Sequence, residues 1–216
     1  AALPDPRTVD KSVPEYKNPF HPSTYAHFVA RKDYRKTYDV YKDDTLLNRQ
    51  PKKSRKIFVC LDEQRGQYLV DGLVAMDFPL SSGVKAYPTK TGDYAVISKK
   101  EDHTSNLYGK MYDAEGKCIN YNAESTDPVP EGGRFDGSPM PYWQRLTNAG
   151  LGLHVGKVRR HPVSHGCVRL PRNVAEILYR QTSIGTPVTI QKTPLPVPEA
   201  QKIPPAQQQE SEGRKQ

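Results

Sequence analysis

From Ile57 onward the apolar residues of this chain fall in short runs closed by turns, and they take a helical period only once. Ile57, Val59 and Leu61 interleave with Phe58 and Cys60, a pattern that suits a strand buried on both faces. Gln67-Tyr68-Leu69-Val70 runs into Asp71-Gly72, the dipeptide of a two-residue hairpin turn, and residues 73–80 form the returning strand. Further short strands are expected over 94–98, 118–121, 151–155 and 187–190. A polar loop is expected over 99–116, and a long surface loop rich in Pro and Gly over 123–141. The one helical period follows Pro171, which suits a first helical position, and Val174, Ile177 and Leu178 share a face. Such a pattern specifies a mainly β protein, a β-sandwich of mixed sheets with one principal helix.

The ends read differently. Residues 1–56 form a basic, Pro-containing N-terminal arm and linker, with Pro4, Pro6, Pro14, Pro19 and Pro22 keeping its first part extended. A short helix is expected within 24–42, where Tyr25, Phe28, Val29 and Tyr38 can share a face, and residues 52–56 read as the linker itself. The arm holds 13 Lys/Arg against 7 Asp/Glu, so most of the chain's +8 charge precedes the first β run. Its expected role is that of a solvated extension, or of a surface attracted to an anionic wall polymer or membrane. No nucleic-acid signature is interleaved with the charge, and nucleic acid is not an expected partner. Residues 192–216 are rich in Pro and Gln and are expected to be a disordered tail. No apolar run approaches the ~18–20 residues that cross a bilayer. The chain opens at Ala1 with neither Met nor a charged-then-apolar leader, so a targeting segment is expected to have been removed or to lie upstream.

Cys167 carries the chemistry. The stretch His161-Pro162-Val163-Ser164-His165-Gly166-Cys167-Val168-Arg169 places a thiol among imidazoles, a glycine and an arginine. A thiol at its reference pKa of about 8.5 needs a base or a positive neighbour to become the nucleophilic thiolate at neutral pH. His154 and His165 are both candidate bases, and spacing does not choose between them. The Gly166 and Cys167 N–H groups, in a turn before a helix, could form an oxyanion hole. Arg169 could hold a carboxylate or brace the loop. His154, His161, His165 and Cys167 could in principle bind zinc. The set has neither paired cysteines nor a recognised ligand spacing, and no metal or other cofactor is expected. Cys60 and Cys118 could pair in an oxidising compartment, or be two unrelated strand cysteines.

His154-Val155-Gly156, followed by the segment from Pro162 to Pro171, closely resembles the signature of the L,D-transpeptidase catalytic domain (YkuD-like). Ser81-Ser82-Gly83, Thr89-Lys90-Thr91-Gly92, His103 to Gly109, Gly137 to Trp143 and Gly185-Thr186-Pro187-Val188 extend the likeness over residues 57–191, the expected catalytic domain. Lys90 stands where the family usually has Pro, and the spacing from His154 to Ser164 is shorter than in many members. The resemblance implies that Cys167 is the acyl-accepting nucleophile and His154 its base, with the Val155 carbonyl orienting the imidazole. It also matches His165, Gly166 and Cys167 to the segment that builds and supports the oxyanion hole, and Arg169 to the arginine after the cysteine; Arg169 and Ser164 are expected to bind substrate. Tyr108, Tyr142 and Trp143 could line the substrate groove or serve as core aromatics.

The function this implies is transfer of an acyl group from a peptidoglycan stem peptide to an amine, as in cell-wall cross-linking or protein attachment. The expected setting is the periplasm or cell envelope. The same Cys/His set would also serve an L,D-carboxypeptidase or a hydrolase of wall–protein links. An inactive wall- or surface-binding protein is the alternative of another class. A papain-like protease is disfavoured, since there is no Cys-Gly-x-Cys-Trp segment.

Overall fold

The structure, a computed structural model, describes residues 24–202. The expectations for the proline-rich residues 1–23 and for the tail beyond 202 lie outside the described residues. In chain order the elements are α1 (Tyr25–Val29), β1 (Tyr41–Lys42), α2 (Asp44–Asn48), β2 (Arg55–Cys60), β3 (Arg65–Val70) and β4 (Leu73–Pro79). Then come β5 (Gly92–Ala95), β6 (Ser98–Lys100), β7 (Thr104–Tyr112), β8 (Cys118–Glu124), β9 (Arg134–Pro139) and β10 (Trp143–Arg145). The last are β11 (Gly152–Val155), β12 (Val168–Leu170), α3 (Arg172–Gln181), β13 (Pro187–Gln191) and a 3-10 turn at Glu199–Gln201. The chain is mainly β, with mixed sheets and few helices. No helix among the described residues is long and apolar enough to cross a membrane. Two compact units divide the chain: one runs to Pro79 and resumes at Thr189, and the other is Leu80–Val188.

In the first unit the strand order is β1-β4-β3-β2, and the part of β13 from Thr189 lies beside β2. Asp71 and Gly72 join β3 to β4 with φ of 51° and 80°, the pair of positive values that a type I′ hairpin turn requires. Residues 24–49, expected to be a loose arm, instead supply α1, β1 and α2. Thr24 caps α1 and Asp43 caps α2, each accepting a backbone N–H from three residues on. Tyr25, Phe28 and Tyr41 pack with Leu69 and Val74 in one core cluster. The expected helix over 24–42 is confined to α1, which ends at Ala30 and is followed by turns. Arg55 and Lys56, read as linker, already belong to β2.

What ties residues 24–42 to the sheet is a buried charge. Arg65 on β3 and Asp77 on β4 are both fully buried, with Arg65 Nε donating to Asp77 Oδ1 at 2.7 Å. The other carboxylate oxygen accepts from the hydroxyls of Tyr25 and Tyr34, each at 2.8 Å. The rest of the guanidinium donates to the carbonyls of Thr37 and Asp39. Burial first, and the Asp77 charge second, push the Tyr25 hydroxyl far above its ordinary pKa, so it stays a donor. Gln67 extends the network to the carbonyl of Pro196, while Gln201 bonds Val74 through both backbone groups. The described part of the expected tail is thus packed on β3 and β4, with Leu195 buried.

The second unit has a mixed four-stranded sheet, β12-β11-β10-β6, in which β11 and β12 are parallel and the other pairs antiparallel. It also has a three-stranded antiparallel sheet, β8-β7-β9. That sheet occupies the middle of the expected 99–116 loop and both sides of the expected 123–141 loop. Gly109 of β7 faces Gly137 of β9, and a Cβ on Gly109 would lie 2.1 Å from the Asp136 carbonyl. The strands therefore approach where side chains are absent. Helix α3 starts one residue past Pro171, which is its N-cap, and buries Val174, Ala175 and Leu178. Lys99 donates to the carbonyls of Tyr179 and Thr182 at its C-terminal end, a cation where the helix dipole favours one.

Removing one partner of the buried pair leaves the other charge without compensation. Asp77→Ala should cost about 3–5 kcal/mol, and Tyr25→Phe, which deletes the bond donated to Asp77 and the one accepted from Gln67, at least about 1.5–3 kcal/mol. Urea denaturation of the two variants measures both.

Candidate active site

The backbone fixes the site before any side chain is considered. Strands β11 and β12 pair in parallel with Leu153 opposite Val168 and His154 opposite Arg169, so the segment entering β12 runs beside the histidine strand. On its other side that segment meets residues 81–84. Ser81 and Arg169 exchange two backbone hydrogen bonds, and the Ser82 carbonyl accepts from Val163 and Ser164. Gly83 bridges to Ser164 in parallel. A Cβ on Gly83 would fall 2.8 Å from the Gly166 Cα and 2.1 Å from the Tyr87 carbonyl, so this approach requires glycine. Gly166 itself has φ of 113°. Thr89 locks the contact: its hydroxyl accepts from Gly83 N–H at 2.8 Å and donates to the Gly166 carbonyl at 2.6 Å. The Ser164 hydroxyl donates to the Cys167 carbonyl at 2.5 Å and accepts from Gly166 N–H at 3.2 Å.

Cys167 and His154 line one cavity of about 910 Å3. The thiol donates to the Gly150 carbonyl at 3.2 Å. Burial pushes its pKa above the ordinary value, against a backbone hydrogen bond from Gly152 and the charges of Arg169 and Arg145. His154 is buried, and its Nδ1 lies 2.8 Å from the Val155 carbonyl. A carbonyl only accepts, so Nδ1 carries the proton and Nε2 is left with a lone pair. Burial lowers the imidazole pKa to about 4, opposed by the bond to Val155 and reinforced by the charges of Arg169 and His103. At neutral pH the site therefore holds a neutral thiol and a neutral imidazole able to accept one proton.

His165 has a different setting. Its ring stacks on Tyr108 at 4.3 Å, with Tyr87 at 4.8 Å, and Tyr87 donates its hydroxyl to Glu124 at 3.0 Å. The Arg169 stem crosses Gly156, where a Cβ would lie 2.7 Å from its Cγ. Trp143 is buried in the cavity wall, packed on Gly152, with His103 stacked on it at 5.0 Å and His154 at 6.0 Å.

The structure thus gathers Cys167, His154, His165, Gly166, Ser164, Arg169, Trp143 and Tyr108 around one cavity. Tyr142 does not join them: with φ of 56° its ring packs on Tyr179, 5.6 Å away. His161 is exposed and outside the cavity lining. Among the described residues no group of three or more His, Cys, Asp or Glu could hold a metal ion, and all three cysteines are free. Tyr87, Arg145 and the Gly150 carbonyl were not anticipated. Arg145 was accessible to strand alternation, since it stands two residues from Trp143 on β10.

This arrangement defines a class: a cavity lined by a thiol just ahead of β12 and by an oriented neutral imidazole on the adjoining β11, the groups that cysteine acyl-transfer sites combine. The chain belongs to the L,D-transpeptidase catalytic domain family (YkuD), whose model matches residues 54–190. A probable L,D-transpeptidase 3 of Mycobacterium tuberculosis is 32% identical over 121 residues, which are 53% of this chain and 38% of that protein. The chain therefore spans well under half the length of that relative. Among solved structures, an L,D-transpeptidase from Mycobacterium smegmatis has 22% identity and a TM-score of 0.49, over 64% of this chain and 58% of the other. L,D-transpeptidase 3 from Mycobacterium tuberculosis has 24% identity and a TM-score of 0.47, over 64% and 61%.

A thiol held above its ordinary pKa is less ionised at neutral pH than a free cysteine. Alkylation of Cys167 by iodoacetamide, followed by peptide mass spectrometry, should therefore be slower than that of a free thiol. It should climb steadily with pH between about 6 and 9. A rate already at plateau near pH 6 would show a preformed thiolate–imidazolium pair.

Proposed function

We propose that the protein is an L,D-transpeptidase acting on peptidoglycan stem peptides in the cell envelope. The observation that carries this reading is the His154 Nδ1 bond to the Val155 carbonyl, which leaves the Nε2 lone pair available to accept a proton in the cavity that Cys167 also lines. Family membership supports the same reading.

In this mechanism Cys167 Sγ attacks the carbonyl of the third stem residue while His154 Nε2 takes the thiol proton. The oxyanion is stabilised by the Cys167 N–H; Gly166 N–H, bonded to Ser164 Oγ at 3.2 Å, is a second donor once that long bond yields. Collapse breaks the bond to the terminal D-amino acid, whose amine leaves with the proton from His154, and a thioester remains. An acceptor amine then attacks the thioester, gives its proton to His154, and frees the thiol as that proton returns. Thr89, Ser164 and Gly83 hold the nucleophile's loop, and Arg169 stands ready to bind a substrate carboxylate.

Incubation of the purified protein with tetrapeptide muropeptides, followed by mass spectrometry, should yield cross-linked dimers and free D-amino acid. Cys167→Ala should form none, and His154→Ala should lose at least about two orders of magnitude in rate. Tripeptides without dimers would make water the acceptor. Dimers formed equally by Cys167→Ala would overturn the mechanism.

A further inference from the structure

The charged side chains on the walls of the Cys167 cavity share one sign. Lys90, Arg145, Lys157 and Arg169 line it, and among the described residues no Asp or Glu does. No ion pair engages any of the four among the described residues. The acid near the rim, Glu124, is outside the lining and holds the Tyr87 hydroxyl. Two of the cations are half-buried arginines. Arg145 reaches one neutral acceptor, the Asn148 carbonyl at 3.4 Å, and lies over Trp143 at 5.9 Å from the ring centre. Arg169 lies with its stem on Gly156, and among the described residues its guanidinium has no hydrogen-bonded partner. Both act electrostatically on the thiol. Partly desolvated guanidiniums without carboxylates await an anion, and each can bind a carboxylate through two parallel hydrogen bonds.

We infer that this cavity is selective for acyl donors bearing free carboxylates near the scissile bond, and discriminates against the same stems with those groups as carboxamides. The inference rests on the transpeptidase reading. A tetrapeptide stem always carries the carboxylate of its terminal residue. It carries further ones, on the second residue and on the third residue's side chain, only when these are not amidated. A carboxamide keeps the shape and loses the charge, so the preference is electrostatic and should weaken with salt. Arg169 and Arg145 take the carboxylates, while Lys90 and Lys157, exposed on the wall, raise the potential without fixing geometry.

The test uses two synthetic tetrapeptide stems, identical except that the second- and third-residue carboxyls are free in one and amidated in the other. Release of the terminal D-amino acid gives kcat/KM, and intact-protein mass spectrometry confirms the acyl-enzyme. The free-carboxylate stem should be preferred about tenfold, or about 1.4 kcal/mol, with the ratio falling at high ionic strength. Arg145→Gln should shrink the ratio towards one, Arg145→Lys should retain part of it, and Lys157→Gln should reduce it least. Turnover of both stems at equal rates, or faster turnover of the amidated stem, would overturn the inference and leave the transpeptidase reading standing. Absence of an acyl-enzyme with either stem would overturn that reading and the inference with it.

Discussion

The catalytic unit depends on a segment hydrogen-bonded along both edges. Residues 164–170 lie between the chain at 81–84 and strand β11, so Arg169 shares its backbone with Ser81 on one side and is in register with His154 on the other. Cys167 stands just ahead of that doubly bonded stretch. Its place relative to His154 is therefore set by main-chain ladders, which deform little, and the side chains need supply only local orientation. The glycines at 83 and 166 are the cost of bringing two backbones this close, and Thr89 spans the gap with one hydroxyl used as both donor and acceptor.

That rigidity suits the neutral thiol and imidazole of the proposed mechanism. Burial disfavours charge on both the thiol and the imidazole, and the one bond fixing His154 comes from a carbonyl with no proton to exchange. In the proposed mechanism proton transfer is then coupled to attack, inside a cavity whose walls, among the described residues, supply positive charge and no carboxylate. Arg169 and Arg145 moderate the thiol's raised pKa, and in the proposed reaction the same two arginines would also bind the anionic donor.

The β character of the chain was legible because its buried strands alternate or run apolar, and Asp71-Gly72 marked a hairpin that the positive φ values bear out. Ser164-His165-Gly166-Cys167 and His154-Val155 likewise carry local signals, a glycine at a close approach and an imidazole beside its own carbonyl acceptor. The β7–β9 sheet was not legible because its strands are polar on exposed faces and meet at glycines, leaving no period of two. Residues 24–49 misled for another reason. Their order comes from the hydroxyls of Tyr25 and Tyr34 reaching a carboxylate 52 and 43 residues away, and from carbonyls at 37 and 39 receiving Arg65. Such long-range polar contacts leave no mark on local composition. Tyr142 sits two residues before Gln144 in a plausible groove sequence, yet its positive φ turns it onto Tyr179.

The chain has one tryptophan, and it is the buried indole whose ring meets those of both His103 and His154. Its emission is thus an optical readout of the site alone. Protonated imidazole quenches indole fluorescence in contact with it, and a bound acyl group would change the polarity on the cavity side of the ring. The protein carries a built-in reporter at its proposed reaction centre, so substrate occupancy and the charge state of the neighbouring histidines could be followed in real time without any added label.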